Sequence, residues 1–354
     1  MCSSDLVLAG ALYTAGPAQC VLANPPNVLV LDGQQGLRIL SGASPGAMTS
    51  VGSQGLLTAG LSLAALANNA WVSDANGKIF RVSLSTPAAP SVATNALLSS
   101  AARELAVSGS ALYVADGPNG LLTLDAATLA LQSATEVGDE AYDVAVSGTT
   151  LYVAAGFAGC RSLNISKPFA PTPLATYETG GRPVDAALAG SALLVAADEG
   201  GLQVHGLDSL ALPTLLGTVS SVSNSRCVEV SYPLAFVGDG LFGLKVFNVS
   251  NAAAPKLVGT YPAPGLSHVR RVAASGSRVV LTDGRLIQLV SVESPASPAL
   301  LATVTNVPGS FVFDIAAVGL EAYAACGNAG VRIYGLDRSE ERRVGKSVDL
   351  GGRR

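Results

Sequence analysis

Charge and histidine are scarce in this chain. Only 13% of its 354 residues are charged, and it holds two histidines, one tryptophan and two methionines. A zinc centre draws on three or four clustered His, Cys or carboxylate side chains. Here His205 and His268 stand far apart and none of the five cysteines forms a CxxC pair. Each histidine reads as structural. The HExxH, GxSxG, P-loop and dinucleotide fingerprints are missing as well. No apolar run reaches the roughly 18 residues of a membrane helix. The longest, AALAGSALLVAA at 186–197, is broken by Gly and Ser and reads as buried strand, so no membrane insertion is expected of the covered residues.

The little charge present is unevenly placed. Nine of the last seventeen residues, RSEERRVGKSVDLGGRR at 338–354, are charged. The start of that tail resembles the in-frame translation of a common short-read sequencing adapter, and a one-base slip gives SVDLGGRR. MCSSDL at 1–6 resembles the partner adapter read from a GTG start. The expectation is a metagenomic fragment of a longer bacterial chain, with protein at 7–337 and adapter-derived ends. Without those ends the formal charge moves from −4 to −6, with 15 basic against 21 acidic side chains. A mildly acidic body offers no electrostatic attraction to nucleic acid or anionic lipid.

Glycine and proline are plentiful, at 39 and 19 residues, and are spread along the chain. They punctuate a repeat. ALYVADGPNGLLTLD (111–125), ALLVAADEGGLQVHGLD (192–208) and LAFVGDGLFGLKVFNVS (234–250) share one pattern. Its bulky anchor falls at Leu29, Trp71, Tyr113, Tyr152, Leu194, Phe236, Val280 and Tyr323, with spacings of 42, 42, 39, 42, 42, 44 and 43. Within each repeat the apolar residues alternate with period two, which excludes a helical solenoid. A leucine-rich repeat would be shorter, about 20–29 residues. Each copy reads as a first strand such as DVAVSG (143–148), a second such as LYVAD, a Gly-containing hairpin and a third such as GLLTLD. A proline-rich crossing then leads to a fourth strand, where a residue lacking an N–H is tolerated. Four antiparallel strands per repeat of about 42 residues predict an all-β fold, a β-propeller of eight blades, with seven as the alternative. Residues 7–16 read as a fourth strand that completes the last blade and closes the ring, removing two open edges.

LLTLD (121–125), LKVFNVS (244–250) and VRIYGLD (331–337) resemble the LVIVD repeat, and the resemblance extends over nearly all of 7–337. That resemblance implies a propeller of bacterial or archaeal surface and secreted proteins, hence an extracellular or cell-surface location. It brings no general catalytic residues.

Counting nine residues back from each anchor gives Cys20, Ser62, Glu104, Asp143, Asp185, Cys227, Arg271 and Asp314. In a propeller these start the innermost strands and ring one mouth of the central channel. Glu104, Asp143, Asp185, Asp314 and Arg271 are therefore the candidate binding residues, for a polar ligand or for Ca²⁺ or Mg²⁺, which favour converging carboxylates. The plainer reading is that they cap strand-start amides. A second acidic set, Asp32, Asp74, Asp116, Asp198, Asp239 and Asp283, follows the second strands and reads as turn-forming. If the ring closes, Cys20 and Cys326 fall on one face of neighbouring blades and are candidates for a disulfide; otherwise the cysteines serve as small buried apolar side chains. The expected function is a non-enzymatic binding or scaffold propeller with a protein or glycan ligand and no cofactor. The alternatives are a metal-dependent hydrolase or lyase with its site in the channel, and an accessory to a catalytic domain elsewhere in a longer chain.

Overall fold

The computed structural model describes residues 8–336 except 13, 15, 34–35, 42–48, 56–59, 178, 191, 207–213, 220–223, 252–253 and 306–309. The adapter-like segments 1–6 and 338–354 lie outside the described residues.

Within a blade, sequence dictates three local choices. The inner strand Asp143–Ser147 alternates, so one face packs and the other looks into the channel. The second strand, as in Ala111–Ala115, is buried at every position because sheets cover both its faces. Between them the chain reverses over two residues at a glycine such as Gly148, whose φ of 56° lies in the left-handed region open to glycine. The outer strand, as in Leu131–Thr135, is half exposed.

Eight such sheets of four antiparallel strands make the molecule an eight-bladed β-propeller. Blades 1 to 7 span 18–54, 60–97, 104–135, 143–177, 185–219, 225–261 and 271–305. Blade 8 contributes three strands from 314–335 and takes its outer strand from the other end of the chain. There Leu8–Leu12 pairs antiparallel with Val331–Gly335, with Leu12 opposite Val331. Each inner strand contacts the inner strands on either side, and that of blade 8 contacts that of blade 1, so the ring is closed. Among the described residues no helix is long and apolar enough to cross a membrane.

The hydrophobic core is divided into eight clusters, each lying in the seam between consecutive blades. In the blade 3–4 seam, for example, Tyr113 and Leu121 of one blade meet Val144 and Leu151 of the next. Burying one such side chain contributes about 1.5–3 kcal/mol, and this gain exists only while the neighbour is in place.

Outside the cores, the crossing from third to outer strand leans on the preceding blade. A Cβ on Gly259, in the outer strand of blade 6, would run into the Pro295 carbonyl of the blade 7 crossing. Gly52 of blade 1 meets Pro87 and Pro90 of blade 2 in the same way. Gly259→Ala is therefore expected to destabilise the protein by about 1–3 kcal/mol through overpacking. Gly55→Ala, where an added Cβ meets nothing within 4 Å, should be neutral within about 0.5 kcal/mol. Urea-unfolding midpoints of the two variants check the contrast.

Candidate functional site at the channel mouth

Glu104, Asp143, Asp185, Arg271 and Asp314 are each the first residue of an inner strand. Cys20, Ser62 and Cys227 sit two residues further into theirs. The eight positions thus form one level at the mouth of the ring.

Four of their side-chain hydrogen bonds cross the seams. Asp143 accepts the Val144 N–H of its own strand at 2.8 Å and the Ala186 N–H of the next blade at 2.9 Å. Asp185 repeats this with Ala186 at 3.0 Å and Val228 of blade 6 at 2.9 Å. Asp314 accepts the Val21 N–H of blade 1 at 3.0 Å. Glu104 accepts from Leu105 N–H at 3.1 Å and from the Ser62 hydroxyl of blade 2 at 2.9 Å. Arg271 stands 3.8 Å from Asp314. Five seams therefore carry a side-chain link at this level. The carboxylates act as clasps between strand-start amides.

This geometry does not suit a Ca²⁺ or Mg²⁺ ion in the channel. The carboxylate oxygens turn into separate seams, and among the described residues no group of three or more His, Cys, Asp or Glu side chains is placed to hold a metal. The Cys20–Cys326 disulfide does not form either; both are free thiols. The reason is packing. Cys20 lies against the blade 1–2 core, whereas Cys326 is buried in the blade 7–8 core beside Tyr334.

The second acidic set holds turns. Asp283 accepts the N–H groups of Arg285 and Leu286, both at 2.8 Å. Asp239 pairs with Lys245 at 3.0 Å, and Asp32 with Arg38 at 2.9 Å. His205 is buried with its ring 4.7 Å from that of Tyr177, and His268 lies at the surface beside Ser267.

Two features escaped the residue-by-residue reading. Glu229 lies one step deeper in the channel, where the other inner strands carry Leu22, Ala64, Ala106, Ala145, Ala187, Ala273 and Ala316. Its charge among alanines was the signal. The second feature is apolar. The hairpins between second and third strands surround the mouth, and in two of them the turn residues are hydrophobic. Phe157 is 89% exposed, and Leu241 and Phe242 are 75% and 48% exposed. Both turns are short 3₁₀ helices, at Gly156–Ala158 and Gly240–Phe242. Each is closed by a 2.8 Å backbone bond, Ala155 N–H to Gly159 and Asp239 N–H to Gly243.

Burial of four carboxylates at one mouth shifts their titration. Burial pushes Glu104 up to about 7 and Asp185 up to about 6. Asp143 rises through burial and the charges of Asp185 and Glu104, and Asp314 through burial, with Arg271 opposing. Burial also pushes Glu229 up to about 7. Groups whose pKa is higher folded than unfolded add stability that is full below the unfolded values of 3.8 and 4.5 and is lost as pH rises through 6 to 7. His205 opposes them. Burial lowers it from 6.5 to about 4, so its stability is present above pH 6.5 and lost as pH falls toward 4. With the carboxylates in the majority, Tm is expected to fall from pH 4.5 to 7.5. Glu104→Gln, which keeps an acceptor for Ser62 and Leu105, should flatten that fall by about 2–4 °C. Parallel melting curves for variant and wild type across this range would show that Glu104 does not titrate there.

Residues 100–128, 138–179 and 224–263 match the LVIVD repeat. No curated protein matches the sequence. Among solved structures, the computationally designed Ika8 protein superposes with a TM-score of 0.74 at 12% identity, covering 93% of this chain and 99% of that one. BamB from Moraxella catarrhalis gives 0.67 at 12% identity, with 93% and 97% covered. Chaetomium thermophilum Sqt1, solved bound to the N-terminus of the ribosomal protein L10, gives 0.70 at 13% identity, with 91% and 97% covered. These likenesses are of fold.

Proposed function

We propose that this LVIVD-repeat β-propeller is a non-enzymatic binding scaffold that engages a partner protein through the loop face around its channel mouth, outside the cell or at the bacterial surface. The observation that carries the reading is the display of Phe157, Leu241 and Phe242 on rigid turns of that face. Large apolar side chains held exposed by a stiff frame lose little entropy on binding and are the usual anchors of protein interfaces. The structural likeness to Sqt1, which was solved with a bound protein segment, supports use of such a frame for protein recognition. The LVIVD repeats support the location through the proteins they resemble. Nucleic acid is disfavoured by the acidic balance of 25 carboxylates against 21 basic side chains.

Panning a displayed peptide library against the folded protein, alongside a glycan array, tests this reading. Enriched peptides are expected to bind Phe157→Ser/Leu241→Ser/Phe242→Ser at least about 30-fold more weakly, as loss of hot-spot anchors does, with Tm unchanged. Peptides that survive the triple variant, or hits confined to the glycan array, would refute the assignment.

A further inference from the structure

In blades 2, 4, 6 and 7 the crossing from third to outer strand is seven residues long, at 84–90, 165–171, 249–255 and 292–298. All four contain proline. In the two cases described above, and by the same logic at the blade 3–4 junction, the crossing packs on the blade before it. At that third junction Tyr113 donates to the Pro168 carbonyl at 3.1 Å and Phe169 packs on the seam core.

Among the described crossings, blade 3 is the exception. Its crossing, 126–130, has five residues and no proline. It is tied down near the seam: Trp71 Nε1 donates to the Ala126 carbonyl at 2.9 Å, and Arg81 Nη1 to that of Ala127 at 2.5 Å. On the outer strand of blade 2, Thr94 takes the register position that Gly52 and Gly259 hold in blades 1 and 6. The slot between blades 2 and 3 is open, with a volume of about 950 Å³. Its exposed apolar walls are Leu97 and Leu131, 70% and 59% exposed, while Leu122, Leu124 and Leu129 behind them are buried in the blade 2–3 core. At its upper end stand Glu136, Asp139 and Glu140. Arg103 pairs with Glu140 at 2.5 Å. Arg161 reaches the same end beside Gly138 and donates to Thr176 Oγ1 at 2.8 Å. Asp139 accepts the Glu140 and Phe157 N–H groups, each at 2.8 Å, and so is turned to the blade 4 hairpin, which leaves Glu136 as the exposed carboxylate of the groove. Carboxylates outnumber guanidinium groups there, and no lysine lines the slot.

We propose that this slot is a docking groove for an extended, proline-bearing peptide segment that places an apolar side chain between Leu97 and Leu131 and a lysine or arginine at the exposed Glu136. The chain itself supplies the argument for that occupant. At neighbouring junctions an extended proline-containing segment does the covering, and here the protein's own segment is too short. The groove lies on the rim; its upper end adjoins the Phe157 turn, whose N–H bonds Asp139, whereas the Leu241–Phe242 turn stands apart on blade 6.

The test uses the blade 4 crossing as probe, a fluorescein-labelled peptide ISKPFAPTP (165–173) titrated into the full chain by fluorescence anisotropy. Saturable binding is expected. It should weaken at least tenfold when blade 2's 84–90 replaces 126–130, when Glu136→Lys reverses the exposed charge, or when glutamate replaces the peptide's lysine. Glu136→Lys keeps the test open if the graft does not fold. Leu241→Ser/Phe242→Ser should bind the probe as wild type does, so failure here is distinguishable from failure of the loop-face reading. No saturable binding would overturn the proposal. So would binding that survives the graft and Glu136→Lys, which indicates exchange with the native crossing. A dimer by sedimentation that the graft converts to monomer would overturn it too, assigning the groove to a second copy of the chain.

Discussion

Burial of sheet against sheet in the eight seams is the interaction on which everything else rests. A single blade has apolar residues on both faces of its second strand and no means of covering them. Its neighbours do so, and theirs do the same, until the ring returns to its start. Stability is thus a property of adjacency. A seam left open would expose one cluster of core, and a blade 8 without its outer strand would leave the edge of Val331–Gly335 unpaired and its seams loosened. The pairing of Leu8–Leu12 with Val331–Gly335 prevents this at the place where the two ends of the chain meet.

The channel mouth follows from the same constraint. Where the inner strands begin, backbone N–H groups of adjacent blades come close together without ladder partners. Asp143, Asp185 and Asp314 satisfy them in pairs, one from each side of a seam. The gain in amide satisfaction is offset by burying these charges and, to a lesser degree, by bringing them together, which holds the carboxyls above their usual range. Arg271 relieves it beside Asp314. At the mouth these side chains thus act as a structural collar, and the partner surfaces proposed above lie on the turns around it and along the rim.

Much of this architecture is legible in the sequence because a closed ring repeats one environment. The anchors Tyr113, Tyr152 and Phe236 recur since each fills the same seam position, and the strand-start carboxylates can be found by counting from them. Blade number follows from the count. What counting does not supply is direction. It places Cys20 and Cys326 on neighbouring blades but not in different seams. It finds four carboxylates on one level without showing that each turns into its own seam. The 39-residue spacing between Tyr113 and Tyr152 is visible, yet its consequence depends on how crossings lie over preceding blades, a contact between residues distant in sequence. Phe157 and Leu241 carry a local signal, hydrophobic residues in hairpins that elsewhere read DGPNG or DEGG, that becomes meaningful once their exposure is seen.

Hydrogen exchange resolved by mass spectrometry on the native protein tests ring closure most directly. If Leu8–Leu12 is an integral outer strand, its amides and those of Val331–Gly335 exchange only through global unfolding, as slowly as the outer strands of other blades. Exchange of 8–12 at the rate of unstructured chain, with blades 2 to 7 still protected, would contradict a ring closed by that pairing.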